Sequence, residues 1–117
     1  MSQSNDGRKA FVANVNIGRA IRVKIGATAG EVEIAGANEL GIGTTTESAD
    51  AAFFVNVRLD NWSVEGTAGA AIAEGAELES GANGKIITKA AGVRIGIALE
   101  AAAADGARFE YMPAETR

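Results

Sequence analysis

Hydrophobic and polar residues alternate along several short stretches of the chain, and a period of two predicts β-strands. Residues 92–112 show the pattern twice. The apolar positions of the first stretch are Val93, Ile95, Ile97 and Leu99. An alanine-rich connection and an Asp105-Gly106 turn follow, and alternation resumes over residues 108–111. Because successive side chains point to opposite faces, each strand is expected to bury one face.

A hairpin is predicted over residues 21–34, where two alternating stretches flank the turn sequence ATAG. Pairing Lys24 with Glu33 gives two apolar pairs on the inner face, Val23 with Ile34 and Ile25 with Val32. On the outer face, Arg22 and Lys24 are expected near Glu31 and Glu33. Exposed ion pairs contribute only about 0–1 kcal/mol each, so these charges are expected to fix register more than stability.

The strongest strand signal is AAFFVNVRL, residues 51–59. Alternation there predicts that one of Phe53 and Phe54 fills the core while the other faces outward. Residues 10–18 form a weaker first strand, and residues 40–43 start another before a polar connection. Asn83-Gly84 is the best two-residue hairpin signal. The alanine run 101–104 is too short for an independent helix, so we expect a connection or a single helical turn.

Parts of the pattern occur twice at an offset of 55 residues. The matches are Gly26-Ala27 with Gly81-Ala82, Ala35 with Ala90, Gly41-Ile42 with Gly96-Ile97, Ala49 with Ala104, Asp50 with Asp105, and Phe54 with Phe109. Internal similarity at a fixed period is the mark of a duplicated unit. In a chain rich in alanine and glycine it also arises by chance, and the sequence leaves both interpretations open.

Length and composition favour one small β domain. The 117 residues include 15 glycines and a single proline, and only 5% are aromatic. This is typical of short strands joined by glycine turns around a thin core. We expect a flexible polar arm over residues 1–10, a β domain over 11–112 and a tail over 113–117. The predicted fold is mainly β, a small single-domain barrel or a tulip-like twisted sheet.

Charge is distributed unevenly. Residues 1–26 carry a net charge of +4 and the remainder −8, within a total of −4. A basic segment on an acidic body indicates either self-association and docking on an acidic partner, or ordinary scatter of surface charge. The first residues are polar and no apolar run reaches 18 residues, so neither a secretion signal nor a membrane span is expected.

Candidate catalytic chemistry is sparse. The chain has neither histidine nor cysteine, which removes the commonest general base, the commonest metal ligand and any thiolate site. Two acidic clusters, Glu47 with Asp50 and Glu74 with Glu77 and Glu79, lack calcium-loop spacing and are expected to be solvated. Phosphate-binding glycine motifs and a basic, aromatic nucleic-acid surface are missing. We therefore expect no enzyme activity, metal, cofactor or nucleic-acid partner. One alternative is a small β binding or carrier module that displays Lys85 after the Asn83-Gly84 turn.

From residue 40 onward the chain resembles the small decoration, or cement, proteins of tailed-phage heads. The matching segments are residues 41–59, 68–78 and 84–112, the last reading GKIITKAAGVRIGIALEAAAADGARFEYM. In that family, a strand of this type, an acidic-glycine turn and a final strand close a small β barrel. The resemblance implies a virion protein that binds the major capsid protein on the outer surface of the head. It further implies a homotrimer that stabilises the shell and is assembled in the host bacterial cytoplasm.

Under this hypothesis the polar arm and the outward-facing aromatic residues would contact the capsid or a neighbouring subunit. The arm residues are Ser2, Gln3, Ser4, Asn5, Asp6, Gly7, Arg8 and Lys9. The candidate aromatic anchors are Phe53, Phe54, Trp62, Phe109 and Tyr111. Trp62, in a polar loop, is expected to be the most exposed of them. The alternative for each aromatic residue is a role in the core.

Overall fold

The structure, a computed structural model, describes residues 8–39, 41–59 and 63–114. These residues form short strands and one 3₁₀ turn, Ala82–Gly84. The strands are β1 (Arg8–Ala13), β2 (Arg22–Ile25), β3 (Glu31–Ile34), β4 (Gly43–Thr45), β5 (Phe54–Leu59), β6 (Val64–Thr67), β7 (Glu77–Ser80), β8 (Ile86–Thr88), β9 (Gly96–Ala98) and β10 (Arg108–Pro113).

The first five strands form a closed barrel in the order β1-β3-β2-β4-β5. The barrel closes because β1 pairs in parallel with β3 on one side and antiparallel with β5 on the other. Small aliphatic side chains fill its interior, as expected for a barrel of short strands. They are Ala13, Ile17, Val23, Val32, Val55 and Val57.

The last five strands form a second sheet in the order β6-β10-β9-β7-β8. Its two outer strands approach at one parallel bridge between Ala68 and Ile86, where the Gly69 N–H donates to the Ile86 carbonyl at 2.8 Å. Phe109 and Tyr111 pack inside this sheet with their ring centroids 5.9 Å apart. Each half of the chain therefore has its own core.

The two halves repeat one topology, which confirms the duplicated unit at the level of the fold. When β1 to β5 are matched in order with β6 to β10, every strand pairing of the first half has a counterpart in the second. This includes the parallel contact between the first and third strands of each half. Even an isolated antiparallel bridge is repeated, Ile17 with Ala49 and Ile72 with Ala102. We refer below to the first barrel and the second sheet.

The constant offset of 55 residues is wrong from the third strand onward, since β3 corresponds to β8 at an offset of 54. Val23 pairs with Gly43 while its counterpart Leu78 pairs with Gly96, so Gly96 corresponds to Gly43 and not to Gly41. In the last strand Phe54 corresponds to Arg108, because their partners are Val12 and Thr67. A shift of one residue moves a side chain to the opposite face, so the Phe54–Phe109 match joins an exposed residue to a buried one.

The predicted hairpin register is confirmed, since Lys24 lies opposite Glu33 and Val23 opposite Ile34. The prediction of which hairpin side chains are buried is less accurate. Ile25 ends β2 and is 57% exposed, while Arg22, predicted on the outer face, is completely buried. The second sheet covers that part of the outer face, as the next subsection describes.

The prediction of one buried and one exposed phenylalanine is wrong. Phe53 is 65% exposed and Phe54 is 72% exposed. β5 begins only at Phe54, and the Phe53 N–H closes a turn onto the Asp50 carbonyl at 3.1 Å. Strand alternation therefore does not extend back to Phe53.

Other boundaries also shift. Arg8, Lys9 and Ala10 belong to β1 and pair with β5, so these three residues are not part of a free arm. The other residues assigned to the arm, 1–7, lie outside the described residues. Residues 92–99 shorten to β9, in which Gly96 and Ala98 are buried; Val93 and Leu99 lie outside the strand and are exposed. The alanine run contains no helical turn, because Ala102 bridges Ile72.

Substituting Gly43 tests the close approach of β4 to β5. A Cβ there would overlap the Arg58 carbonyl oxygen, which is backbone and has little room to move. We expect Gly43→Ala to lower the free energy of unfolding by about 1–3 kcal/mol in urea titrations. Gly18→Ala is the control, since its Cβ would make an ordinary 3.6 Å contact with Ile21. Equal stability of the two variants would contradict the proposed overlap.

Candidate interaction surfaces

A buried arginine joins the two halves of the chain. The Arg22 side chain leaves the outer face of the first barrel and is fully buried. Its Nη1 donates to the Tyr111 hydroxyl at 3.0 Å, and that hydroxyl lies 2.9 Å from Thr44 Oγ1. Tyr111 and Thr44 are also fully buried. The tyrosine thus reaches from the core of the second sheet to the outside of the first barrel.

Hydrogen bonds to the backbone surround this contact. Thr67 Oγ1 donates to the Ala20 carbonyl and Ser80 Oγ to the Gly36 carbonyl, each at 2.8 Å. The Gly84 N–H donates to the Ala35 carbonyl at 2.7 Å, and the Asn38 N–H to the Ser80 carbonyl at 3.3 Å. We call this set of contacts, with Arg22, Thr44 and Tyr111, the junction. It fixes the halves as one body.

Glu79 is buried and has a structural role, so the expectation that its whole acidic cluster is solvated is wrong for this residue. Its Oε1 accepts hydrogen bonds from the backbone N–H groups of Ala90 and Gly92, at 2.6 and 2.9 Å. The Ala90 bond is the main reason, and the Gly92 bond the next, that the pKa of Glu79 lies below its usual value of 4.5. Among residues 8–39, 41–59 and 63–114, no cluster of acidic side chains could hold a metal ion.

A groove of about 380 Å³ lies beside the junction. The Arg19–Glu65 ion pair spans the two halves there. Arg58, Glu100 and Glu110 also line the groove, so its walls carry both signs of charge.

Among residues 8–39, 41–59 and 63–114, the two most exposed aromatic side chains, Phe53 and Phe54, lie at one end of the first barrel. Phe54 sits opposite Val12 in the β1–β5 pairing, and the Phe53 carbonyl accepts from the Ala13 N–H at 3.0 Å. We call Val12, Phe53 and Phe54 the phenylalanine pole. Backbone hydrogen bonds fix the main chain that carries both rings, so the pole presents two neighbouring exposed aromatic side chains, and exposed apolar surface of this kind is characteristic of protein-binding sites.

Comparison with known proteins identifies the family. The model of the phage cement protein family matches residues 8–112, which include the first barrel, the junction and the second sheet. The chain belongs to the phage cement protein family. This cement protein is therefore a structural protein of the phage head. A search of curated proteins by sequence found no match.

A solved structure shares the fold. The N base of the head fiber protein gp8.5 of bacteriophage phi29 superposes with a TM-score of 0.79 over 94% of this chain and 97% of that one. The sequence identity is 16%, so the likeness concerns the fold alone. The predicted recognition as a cement protein and the predicted mainly β, single-domain barrel fold are both confirmed.

The structure separates the candidate interface residues of the cement protein. Phe53 and Phe54 are accessible, while Phe109 and Tyr111 are 1% and 0% exposed and form core and junction. Those two face inward because β10 turns alternate residues toward the second core. Trp62 and residues 2–7 lie outside the described residues. Sequence reasoning missed two residues of the junction. It placed Arg22 on the outer face of the hairpin and Thr44 in a polar connection.

Most basic residues of the leading segment are used internally. Arg19 pairs with Glu65, Arg22 bonds Tyr111, and Lys24 pairs with Glu39. Lys9 stays exposed, with its Nζ 5.7 Å from the centre of the Phe11 ring. Arg22 is therefore inaccessible to an acidic partner, because the junction encloses it.

Lys85 is not displayed as a carrier lysine would be. Asn83 and Gly84 adopt the positive φ angles of 61° and 74° that the turn requires, but Gly84 is packed against Ile21 of the first barrel. Lys85 Nζ lies 2.9 Å from Asp105 Oδ1.

In the described part of the chain, no helix is long and apolar enough to cross a membrane.

Removing the Tyr111 hydroxyl tests the junction. Tyr111→Phe leaves the guanidinium of Arg22 buried with a polar partner lost, so we expect the free energy of unfolding to fall by about 1–3 kcal/mol. Thr88→Val removes a hydroxyl from an exposed position on β8 and serves as the control, with a change below about 0.5 kcal/mol. Denaturant titration measures both. Identical midpoints for Tyr111→Phe and wild type would contradict the importance of this contact.

Acid titration tests Glu79. Because its folded-state pKa is lowered, the charged carboxylate stabilises the fold fully above its usual pKa of 4.5, and this contribution disappears as pH falls through the lower folded value. Glu79→Gln should be less stable than wild type at pH 7, and the difference should shrink below pH 4.5. Glu74→Gln, at an exposed site, is the control. A stability difference that is independent of pH would contradict the role assigned to the charge.

Proposed function

We propose that this cement protein binds the outer surface of a tailed-phage capsid between major capsid subunits and stabilises the shell without catalysis. Two observations support the proposal: the family match over the whole two-part unit, and the exposed phenylalanine pole on that unit. A cement protein resists the separation of shell subunits only if it does not itself deform. The junction supplies this stiffness, because it holds both halves through buried hydrogen bonds.

The phenylalanine pole is the proposed capsid anchor. Phe53 and Phe54 expose most of their ring surface, and burial of aromatic side chains dominates the energetics of protein interfaces. The pole lies apart from the junction, so its occupation leaves the fold unchanged. The partner surface is an apolar recess at the boundary between neighbouring major capsid subunits.

The chain is proposed to act as a homotrimer on the virion, after assembly in the host cytoplasm. Three linked copies bind with a higher effective concentration than single chains, so weak contacts with several capsid subunits add up to firm attachment. The N-terminal arm, now restricted to residues 1–7, is proposed to add contacts to a neighbouring subunit.

Co-sedimentation with phage heads that lack the protein tests this function. We expect Phe53→Ser and Phe54→Ser each to weaken binding by about tenfold or more, since removing a buried aromatic ring at an interface typically costs over 1 kcal/mol. Leu99→Ser, at an exposed apolar residue just after β9, is the control for general loss of hydrophobicity. Unchanged binding of both phenylalanine variants would exclude the pole as the anchor.

The same assay examines the arm. Deleting residues 1–7 keeps all of β1, so the truncated chain should unfold at the wild-type midpoint while binding heads more weakly. A deletion through Lys9 would also remove two residues of β1 and would confuse binding with folding. Wild-type affinity of the 1–7 deletion would show that the arm makes no contribution.

A further inference from the structure

The phenylalanine pole is one end of a longer surface whose other end is basic. Val55 and Val57 belong to the first core, so alternation turns the other residues of β5 outward. Ala13 belongs to the same core and fixes the outward face of β1 in the same way. We call the outer face of the β1–β5 pair the strip. Its residues lie directly opposite each other in three pairs, Val12 with Phe54, Ala10 with Asn56, and Arg8 with Arg58.

The strip changes from apolar to basic over a short distance. Phe54 is 72% exposed at the apolar end, and Arg8 is exposed at the basic end. The four residues from Phe54 to Arg58 span about 13 Å, at about 3.3 Å per residue. A protein interface of standard size covers about 800 Å² of each partner and is therefore about 30 Å across. A partner seated on the pole is wide enough to cover the basic end as well.

The charge of Arg58 is not used within the described part of the chain. Its Nε is buried and has no hydrogen-bond partner. No ion pair between described residues includes its guanidinium group. Arg8 lies directly opposite on β1, so two cationic side chains face each other across the strand pair. Like charges in such a pair repel, and an anion bound between them would remove that repulsion.

The groove beside the junction gives a partner side chain access to Arg58, which lines it. The glutamates of the opposite wall have other contacts. Glu65 pairs with Arg19, and Glu100 Oε1 accepts from the Glu110 N–H at 2.8 Å. A carboxylate in contact with Arg58 lies closer to that cation than to the opposite wall. Water in the open groove therefore weakens the more distant repulsion more than the direct attraction.

We infer that the basic end of the strip binds an aspartate or glutamate side chain of the major capsid protein, beside the apolar side chain that the pole binds. A guanidinium group presents its donors in a fork that matches the two oxygens of a carboxylate. Because no hydrogen bond holds Arg58 in its present rotamer, turning it toward a carboxylate breaks no bond and gives the buried donor an acceptor.

This inference rests on the proposed function and specifies the chemistry of the partner surface. The capsid recess that receives the pole is expected to carry an acidic side chain about 13 Å from its apolar part, the distance that separates Phe54 from Arg58 along β5. The aromatic contact supplies most of the affinity, whereas the charged contact fixes the orientation of the cement protein on the shell.

Head binding at two salt concentrations tests the charged contact. We expect Arg58→Met to weaken co-sedimentation with heads about fivefold or more at about 0.1 M salt. The difference from wild type should shrink at about 1 M salt, where the screening length falls to about 3 Å. Phe54→Ser should be impaired at both concentrations, because salt does not screen an apolar contact. Lys89→Met removes the same charge at an exposed position after β8 and is the control.

The stability of the free variant separates a binding role from a structural one. Methionine keeps an aliphatic stem and removes an unpartnered donor, so Arg58→Met should unfold at or above the wild-type midpoint.

Carbodiimide cross-linking identifies the partner. This reagent activates a carboxylate, which then forms an amide with a lysine amine in contact with it. Arg58→Lys keeps the positive charge and places an amine at the basic end of the strip. Heads decorated with this variant are treated, and the linked peptides are located by mass spectrometry. We expect a link from position 58 to an acidic residue of the major capsid protein, and no link from Lys89 to the capsid.

Every other outcome contradicts the inference in a recognisable way. A link from position 58 to a second copy of the chain, or no link from that position, would exclude a capsid carboxylate. A clearly lower unfolding midpoint for Arg58→Met would assign Arg58 to the fold. Wild-type binding of Arg58→Met at both salt concentrations, with Phe54→Ser impaired, would overturn the inference and leave the proposed function standing. Failure of the wild-type chain to bind heads would overturn the proposed function itself.

Discussion

The burial of one guanidinium group organises the molecule. A charged group removed from water is strongly unfavourable unless hydrogen bonds replace those to solvent, and Arg22 is completely buried. The Tyr111 hydroxyl, 89 residues away in sequence, supplies such a bond and is itself held by Thr44. The first barrel therefore has a buried charge to which the second sheet supplies a hydrogen-bond partner. The two halves, each with a small core of its own, are joined into one body by this buried contact.

Local pattern predicted a good part of this fold. Alternation identified the hairpin with its correct register, and the Asn83-Gly84 turn forms where expected. The repeat was visible through glycine and alanine matches, but small differences in loop length reduce the offset from 55 to 53 at Gly43 and Gly96. A change of one residue in the offset leaves the strand order unchanged. It nevertheless matches residues on opposite faces of a strand, as the exposed Phe54 and the buried Phe109 show.

The candidate surfaces were harder to predict. Alternation says which residues share a face of a strand, and it does not say what lies over that face. Arg22 and Lys24 share a face of β2, but the second sheet covers only Arg22, so one is buried and the other forms surface ion pairs. Tyr111 looked like an anchor because aromatic residues serve both cores and interfaces. Tyr111 lies on the inner side of β10, opposite Ala98 of β9, and its side chain therefore belongs to the core.

Several charged residues of this cement protein connect parts of the chain to each other. Glu79 holds the loop before β9, and Arg19 and Arg22 link the halves. Of the large hydrophobic side chains in the described residues, Phe53 and Phe54 of the phenylalanine pole are the most exposed, which fits adhesion to another protein. A cryo-EM reconstruction of heads decorated with the purified protein tests this account most directly. The account predicts two-lobed density on the outer surface, with the phenylalanine pole seated where major capsid subunits meet. Density on the inner surface, or confined to the middle of single subunits, would contradict it.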